Sequence, residues 1–90
     1  MTTTKLLKEF ILSAQILGLA TEDLMIAQEF LDNREFGLCF DTIATQLYEY
    51  GIEIDEDFYL LIMSISKTLK LEQNDYTYMK ELIRSPNQIP

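Results

Sequence analysis

Residues 35–57 read EFGLCFDTIATQLYEYGIEIDED, and the spacing of their apolar members decides the fold class. Phe36, Cys39, Phe40, Ile43, Ala44, Leu47 and Tyr50 fall at offsets of 0, 3, 4, 7, 8, 11 and 14. That is the pattern of one face of an α-helix, so a helix over about 35–50 is expected to turn this stripe into a core. Gly51 should end it. Ile52-Glu53-Ile54 alternates in strand fashion, but three residues with no partner strand elsewhere predict a short extended connection. Asp55 then reads as the N-cap of another helix, with Glu56 and Asp57 in the first turn, where carboxylates oppose the positive end of the helix dipole.

Working outward, the same reading gives helices on both sides. Towards the N-terminus, a first helix is expected from Thr3 or Thr4, as cap, to Leu17, with Leu6, Leu7, Phe10, Ile11, Ala14 and Leu17 on one stripe and Gly18 as its stop. Thr21 reads as the cap of a second helix with Leu24, Ala27, Phe30 and Leu31 inside and Asn33 as a left-handed terminator. Beyond residue 57, Phe58, Leu61, Ile62, Ile65 and Leu69 form an inner stripe, and Leu60 and Met63 a second apolar strip that predicts packing on two sides. A short fifth helix is expected near Asp75 to Arg84, with Tyr76, Met79, Leu82 and Ile83 inward. Ser85-Pro86 should end it, leaving a disordered tail over 86–90. The expectation is an all-α fold, a compact bundle of four to five helices forming a single domain over 1–85.

Ninety residues suffice for one core, which buries roughly 60 to 65% of the unfolded surface and supports a stability of about 5 to 10 kcal/mol. Cys39 is the only cysteine, so no intrachain disulfide can form, and its place on the stripe makes it a core residue. No apolar run approaches the roughly 18 residues that span a bilayer. The N-terminal stretch has two lysines, but Glu9 and Gln15 interrupt its apolar part, so it reads as a helix of the fold and not as a removable leader.

Charge narrows the partners. Seven basic residues stand against fifteen acidic ones, a net charge of −8. Direct binding to nucleic acid or an anionic membrane is disfavoured, because phosphate contacts require a positive surface, and a basic protein partner is favoured. The asymmetry lies in the middle: residues 22–57 hold eleven acids against Arg34 alone, whereas the flanks together carry a net +2.

The chain has no histidine, which removes the usual general base, the usual partner of a nucleophilic Ser or Cys, and the commonest metal ligand. Asp55-Glu56-Asp57 is followed by Phe58-Tyr59-Leu60, without the alternating ligands and central glycine of a calcium loop. The three glycines, at 18, 37 and 51, are isolated, so no phosphate-binding loop exists. A non-enzymatic protein with no cofactor and no metal is therefore expected. A binding face is the alternative to catalysis: Leu38, Asp41, Thr45, Tyr48 and Glu49 lie opposite or beside the inner stripe of the central helix, mixing aliphatic, aromatic and acidic groups as interfaces do.

The order of signals resembles the MafI-type immunity family. It consists of Gly18-Leu19, Thr21-Glu22-Asp23-Leu24, Glu35 opening a helix that closes on Gln46-Leu47-Tyr48-Glu49, then Ile52-x-Ile54, Tyr59 and Leu69-x-Leu71. The resemblance covers about Leu17 to Leu71; Cys39-Phe40 departs from it, being bulkier than the family's small-then-aliphatic pair. It implies a cytoplasmic inhibitor that binds and blocks a cognate bacterial toxin of a contact-dependent or secreted system, often an EndoU-like RNase. It transfers no contact residues. The charge pattern, taken separately, nominates Glu35, Asp41, Tyr48, Glu49, Glu53, Asp55 and Asp57 as toxin-binding residues, with Asp55 and Glu35 also explicable as helix starts. The alternatives are a DNA-mimic regulator or an acidic helical adaptor that binds a basic protein and uses Leu60 and Met63.

Overall fold

In the computed structural model, which describes residues 2–84, Thr2 caps α1 (Thr3–Leu17), its Oγ1 accepting from the Lys5 amide at 3.2 Å. The cap thus lies one or two residues before the expected Thr3 or Thr4, because Thr2 has the amide of Lys5 three residues ahead to satisfy. Then follow α2 (Thr21–Asp32), α3 (Phe36–Glu49), α4 (Glu56–Thr68) and a 3-10 helix (Gln73–Leu82). The fold is all-α, as the periodicity predicted.

All four α-helices end in one way. The amides of Leu19, Glu35, Ile52 and Leu71 each reach back five residues, to the carbonyls of Ala14, Phe30, Leu47 and Ser66. Before each of these stands a residue in the left-handed conformation: Gly18 (φ 104°), Arg34 (φ 59°), Gly51 (φ 60°) and Lys70 (φ 60°). The terminator of α2 is therefore Arg34 and not the expected Asn33, which has φ −90° and donates from Nδ2 to the Glu29 carbonyl. After the tight closure of α1 only Leu19 and Ala20 remain before α2, so Ala20 occupies the cap position without a side-chain bond, and Thr21 is helical. Two left-handed positions thus carry a Cβ, which costs roughly 1 to 2 kcal/mol each, less the entropy a glycine would lose on folding. Lys70→Gly and Arg34→Gly are each expected to raise stability by up to about 1 kcal/mol in urea unfolding. A loss in both variants would contradict the strain argument.

The core lies where α1, α3 and α4 converge. Phe10 stacks on Phe58 at 5.2 Å between ring centroids and leans on Phe40 at 5.3 Å, and Phe40 meets Tyr76 of the 3-10 helix at 4.8 Å. Leu7, Ile43, Leu47, Ile62, Ile65 and Met79 are fully buried around them. α2 packs chiefly on α3, while α4 packs against both α1 and the 3-10 helix. Buried Asp23 accepts from Gln46 Nε2 at 3.0 Å, a polar tie between α2 and α3.

Four expectations change. Tyr50 sits at the C-cap of α3 and is exposed, so the buried stripe ends at Leu47. Met63 packs on the core from its side of α4, but Leu60 stays in solvent. Ile54 does find a partner: it forms a parallel bridge with Ile83, the Ile54 amide donating to Leu82 O at 2.9 Å and the Arg84 amide to Ile54 O at 3.0 Å. The fifth helix starts at Gln73 as a 3-10 helix, and its inward residues Tyr76, Met79 and Leu82 recur at its three-residue period. It ends at Leu82, short of the expected Arg84, because Ile83 turns extended to pair with Ile54; Ser85-Pro86 and the tail to residue 90 fall outside the described residues.

Candidate functional site

The α3 stripe that enters the core leaves Asp41, Thr45, Tyr48 and Glu49 on the opposite side, and the 3-10 helix comes up beside them. A period of three residues splits that segment into an inner row, Tyr76, Met79 and Leu82, and an adjacent row, Asp75, Tyr78 and Glu81. Tyr76 donates from its hydroxyl to Asp41 Oδ1 at 3.4 Å. The Tyr48 hydroxyl donates to Glu81 Oε2 at 3.0 Å. Tyr78 fills the space between, meeting Tyr48 edge to face at 4.9 Å and Tyr76 at 6.4 Å. The rings of exposed Tyr48 and half-buried Tyr78 and the carboxylates of Asp41 and Glu81 thus form one continuous surface, with Tyr76 buried beneath it.

Its surroundings raise all three phenols above their ordinary 10.0. Burial first, then the Asp41 carboxylate, push the Tyr76 hydroxyl up to about 12. Burial also raises Tyr78, against an opposing hydrogen bond with Thr45, and the bond to Glu81 raises Tyr48. Beneath this surface, burial pushes the Cys39 thiol up to about 11. At neutral pH none of these groups is an anion, so the surface offers ring faces and carboxylates for binding, and Cys39 is no nucleophile.

These shifts couple folding to alkaline pH. The folded state holds the Cys39 and Tyr76 protons more tightly than the unfolded chain, whose ordinary values are 9.0 and 10.0. The resulting stabilisation is complete below pH 9.0 and is lost as pH rises through about 11 and then about 12. Urea unfolding from pH 8 upward should show a falling midpoint, and Tyr76→Phe should flatten the fall above pH 10. An unchanged slope in that variant would contradict the assignment.

The seven nominated residues separate into groups. Asp41 and Tyr48 are joined through the 3-10 helix, with Glu49 exposed beside Tyr48. Glu35 is exposed at the start of α3 and makes no capping bond with its side chain. Glu53 pairs with Arg84 at 3.3 Å on the solvent side of the Ile54–Ile83 bridge, a contact worth little by itself. Asp55 caps α4, its Oδ1 accepting from the Phe58 amide at 2.7 Å. Asp55 and Asp57 also border a groove of about 280 Å³ lined by Ser13, Ile16, Leu17, Phe58 and Leu61, on the α1 side of α4. Tyr78 and Glu81 were missed by the sequence reading, because their alignment with Asp75 follows from a three-residue period and not from the α-helical one.

Among the described residues, no three His, Cys, Asp or Glu side chains are arranged to hold a metal, and no helix is long and apolar enough to cross a membrane. A scan against protein-family models finds no match, and searches of curated proteins and of solved structures find none either.

Proposed function

We propose that the chain is an immunity protein of the MafI type, a cytoplasmic, non-enzymatic inhibitor that binds a cognate bacterial toxin, an EndoU-like RNase or another basic nuclease, in stoichiometric fashion. The observation that carries this reading is the surface formed by Asp41, Tyr48, Tyr78 and Glu81. A nuclease must hold phosphates with lysine and arginine, and such groups are met by carboxylates for fast, oriented encounter and by tyrosine faces for cation–π contact. Tyrosine is also a common anchor of tight interfaces. The order of signals from Gly18 to Leu71 supports the family assignment, and the net charge of −10 over residues 22–57 supports a basic partner.

The test is to co-express the chain with the product of its neighbouring gene, purify either through a tag, and challenge cells with that toxin. A stable complex and survival are expected. If the two proteins do not associate and the cells are not protected, the reading is wrong.

A second reading is favoured by one observation, the 58% exposure of Leu60 on α4. An adaptor that docks through this strip would lose its partner in Leu60→Ser and tolerate Asp41→Lys. The immunity reading expects the opposite.

A further inference from the structure

Between the end of α1 and the start of α4 runs the open groove of about 280 Å³. Its walls are largely apolar, Ile16 and Leu17 from α1 and Phe58 and Leu61 from α4. Phe58 is buried and Leu17 and Leu61 are half-buried, whereas Ile16 is 86% exposed, an aliphatic side chain that the fold leaves in water. Asp55 and Asp57 border the same groove, Asp57 one turn of α4 before Leu61, and Ser13 adds a hydroxyl.

The charge of the groove has one sign. Asp55 uses Oδ1 to cap α4, accepting from the Phe58 amide, and Asp57 is exposed in the first turn. Among the described residues, neither carboxylate has a lysine or arginine within ion-pair distance. Arg84, whose amide donates to Ile54 O one residue before Asp55, sends its guanidinium to Glu53 and does not line the groove. The positive end of the α4 dipole lies here, but α1 ends beside it with its negative end; the two offset, and the carboxylates set the sign. A metal ion is a poor match, because no third ligating side chain joins the pair among the described residues. A purely aliphatic group would cover Ile16 but press against two carboxylates without pairing them. We infer that the groove seats an arginine side chain of a basic protein partner. The apolar stem of the arginine lies along Ile16, Leu17 and Leu61, and its guanidinium reaches Asp57 and the second oxygen of Asp55. The planar fork serves both carboxylates at once and is more weakly hydrated than the ammonium of a lysine. That this arginine belongs to the toxin rests on the immunity reading; the choice of arginine by the groove does not. The groove shares no residue with the Tyr48 surface, so it is a second point of attachment.

Amide chemical shifts of the full chain, titrated with N-acetyl-arginine amide and separately with its uncharged isostere N-acetyl-citrulline amide, test the inference. Saturable shifts at Ser13, Ile16, Leu17 and Leu61 are expected with the arginine compound, and at least about fivefold weaker binding of the citrulline one. Asp57→Asn and Ile16→Ser, both at exposed positions, should keep the dispersed spectrum of the folded chain and each raise the arginine Kd at least about threefold. Against the toxin, the two changes together should weaken binding at least about tenfold. Shifts that do not saturate, that fall elsewhere, that citrulline reproduces or that ignore both substitutions would overturn the inference. Toxin binding untouched by the double variant would overturn the part the groove plays in that complex. An arginine compound held in the groove of a chain that binds no toxin would support the arginine seat and refute the immunity reading.

Discussion

Phe10→Ala is expected to remove about 3 to 5 kcal/mol of stability, most of what a domain of this size has. Phe10 is fully buried, and its ring touches Phe40 of α3 and Phe58 of α4, so one side chain on α1 ties three helices together. Truncation leaves a cavity and also withdraws the support that Phe40 passes on to Tyr76 of the 3-10 helix at 4.8 Å. In urea, the variant should show a much lower midpoint, with part of the population unfolded in buffer. Phe10→Leu, which refills part of the space, should recover more than half of the loss. Leu12→Ala, two residues along on the solvent side, should change stability by less than about 0.5 kcal/mol. A Phe10→Ala loss of less than about 1 kcal/mol would mean that the three-helix contact is not the centre of the core.

On the immunity reading proposed above, Tyr48→Ala is expected to weaken toxin binding by about thirtyfold or more, the effect of losing an interface anchor. Tyr48 is well placed for that role. It projects from the last turn of α3, its ring is braced edge to face by Tyr78, and Glu81 accepts from its hydroxyl. A braced ring loses little rotamer freedom on binding. Tyr48→Phe keeps the ring and loses only the bond to Glu81, so its effect should stay within about tenfold. Asp41→Lys should instead slow association and change its salt dependence, because it reverses a charge on the face proposed to meet a basic partner. Neither position is in the core, so thermal unfolding should separate lost binding from lost folding. Unchanged affinity in Tyr48→Ala and Asp41→Lys together would contradict the proposed toxin face.

The helices were legible because periodicity is a local signal: the stripe of α3 appears in the sequence nearly as it appears in the core. What periodicity could not supply were the ends and the non-local pairings. Arg34 and Lys70 close their helices in a conformation usual for glycine, which no composition rule indicates. Ile54 lacked a visible partner because Ile83 lies far along the chain and outside any strand-like run. The candidate surface was half legible. Asp41 and Tyr48 follow from the angle they make with the buried stripe. Tyr78 and Glu81 depend on how the 3-10 helix docks, and Glu53 and Asp55 have acidity that serves the fold, one beside Arg84 and one as a cap.

The most direct measurement is a titration of the neighbouring toxin's RNase activity with this chain. The immunity reading predicts a linear fall in RNA cleavage that reaches zero when the chain equals the toxin in molar amount. Cleavage that continues unchanged at a large excess of the chain would contradict it.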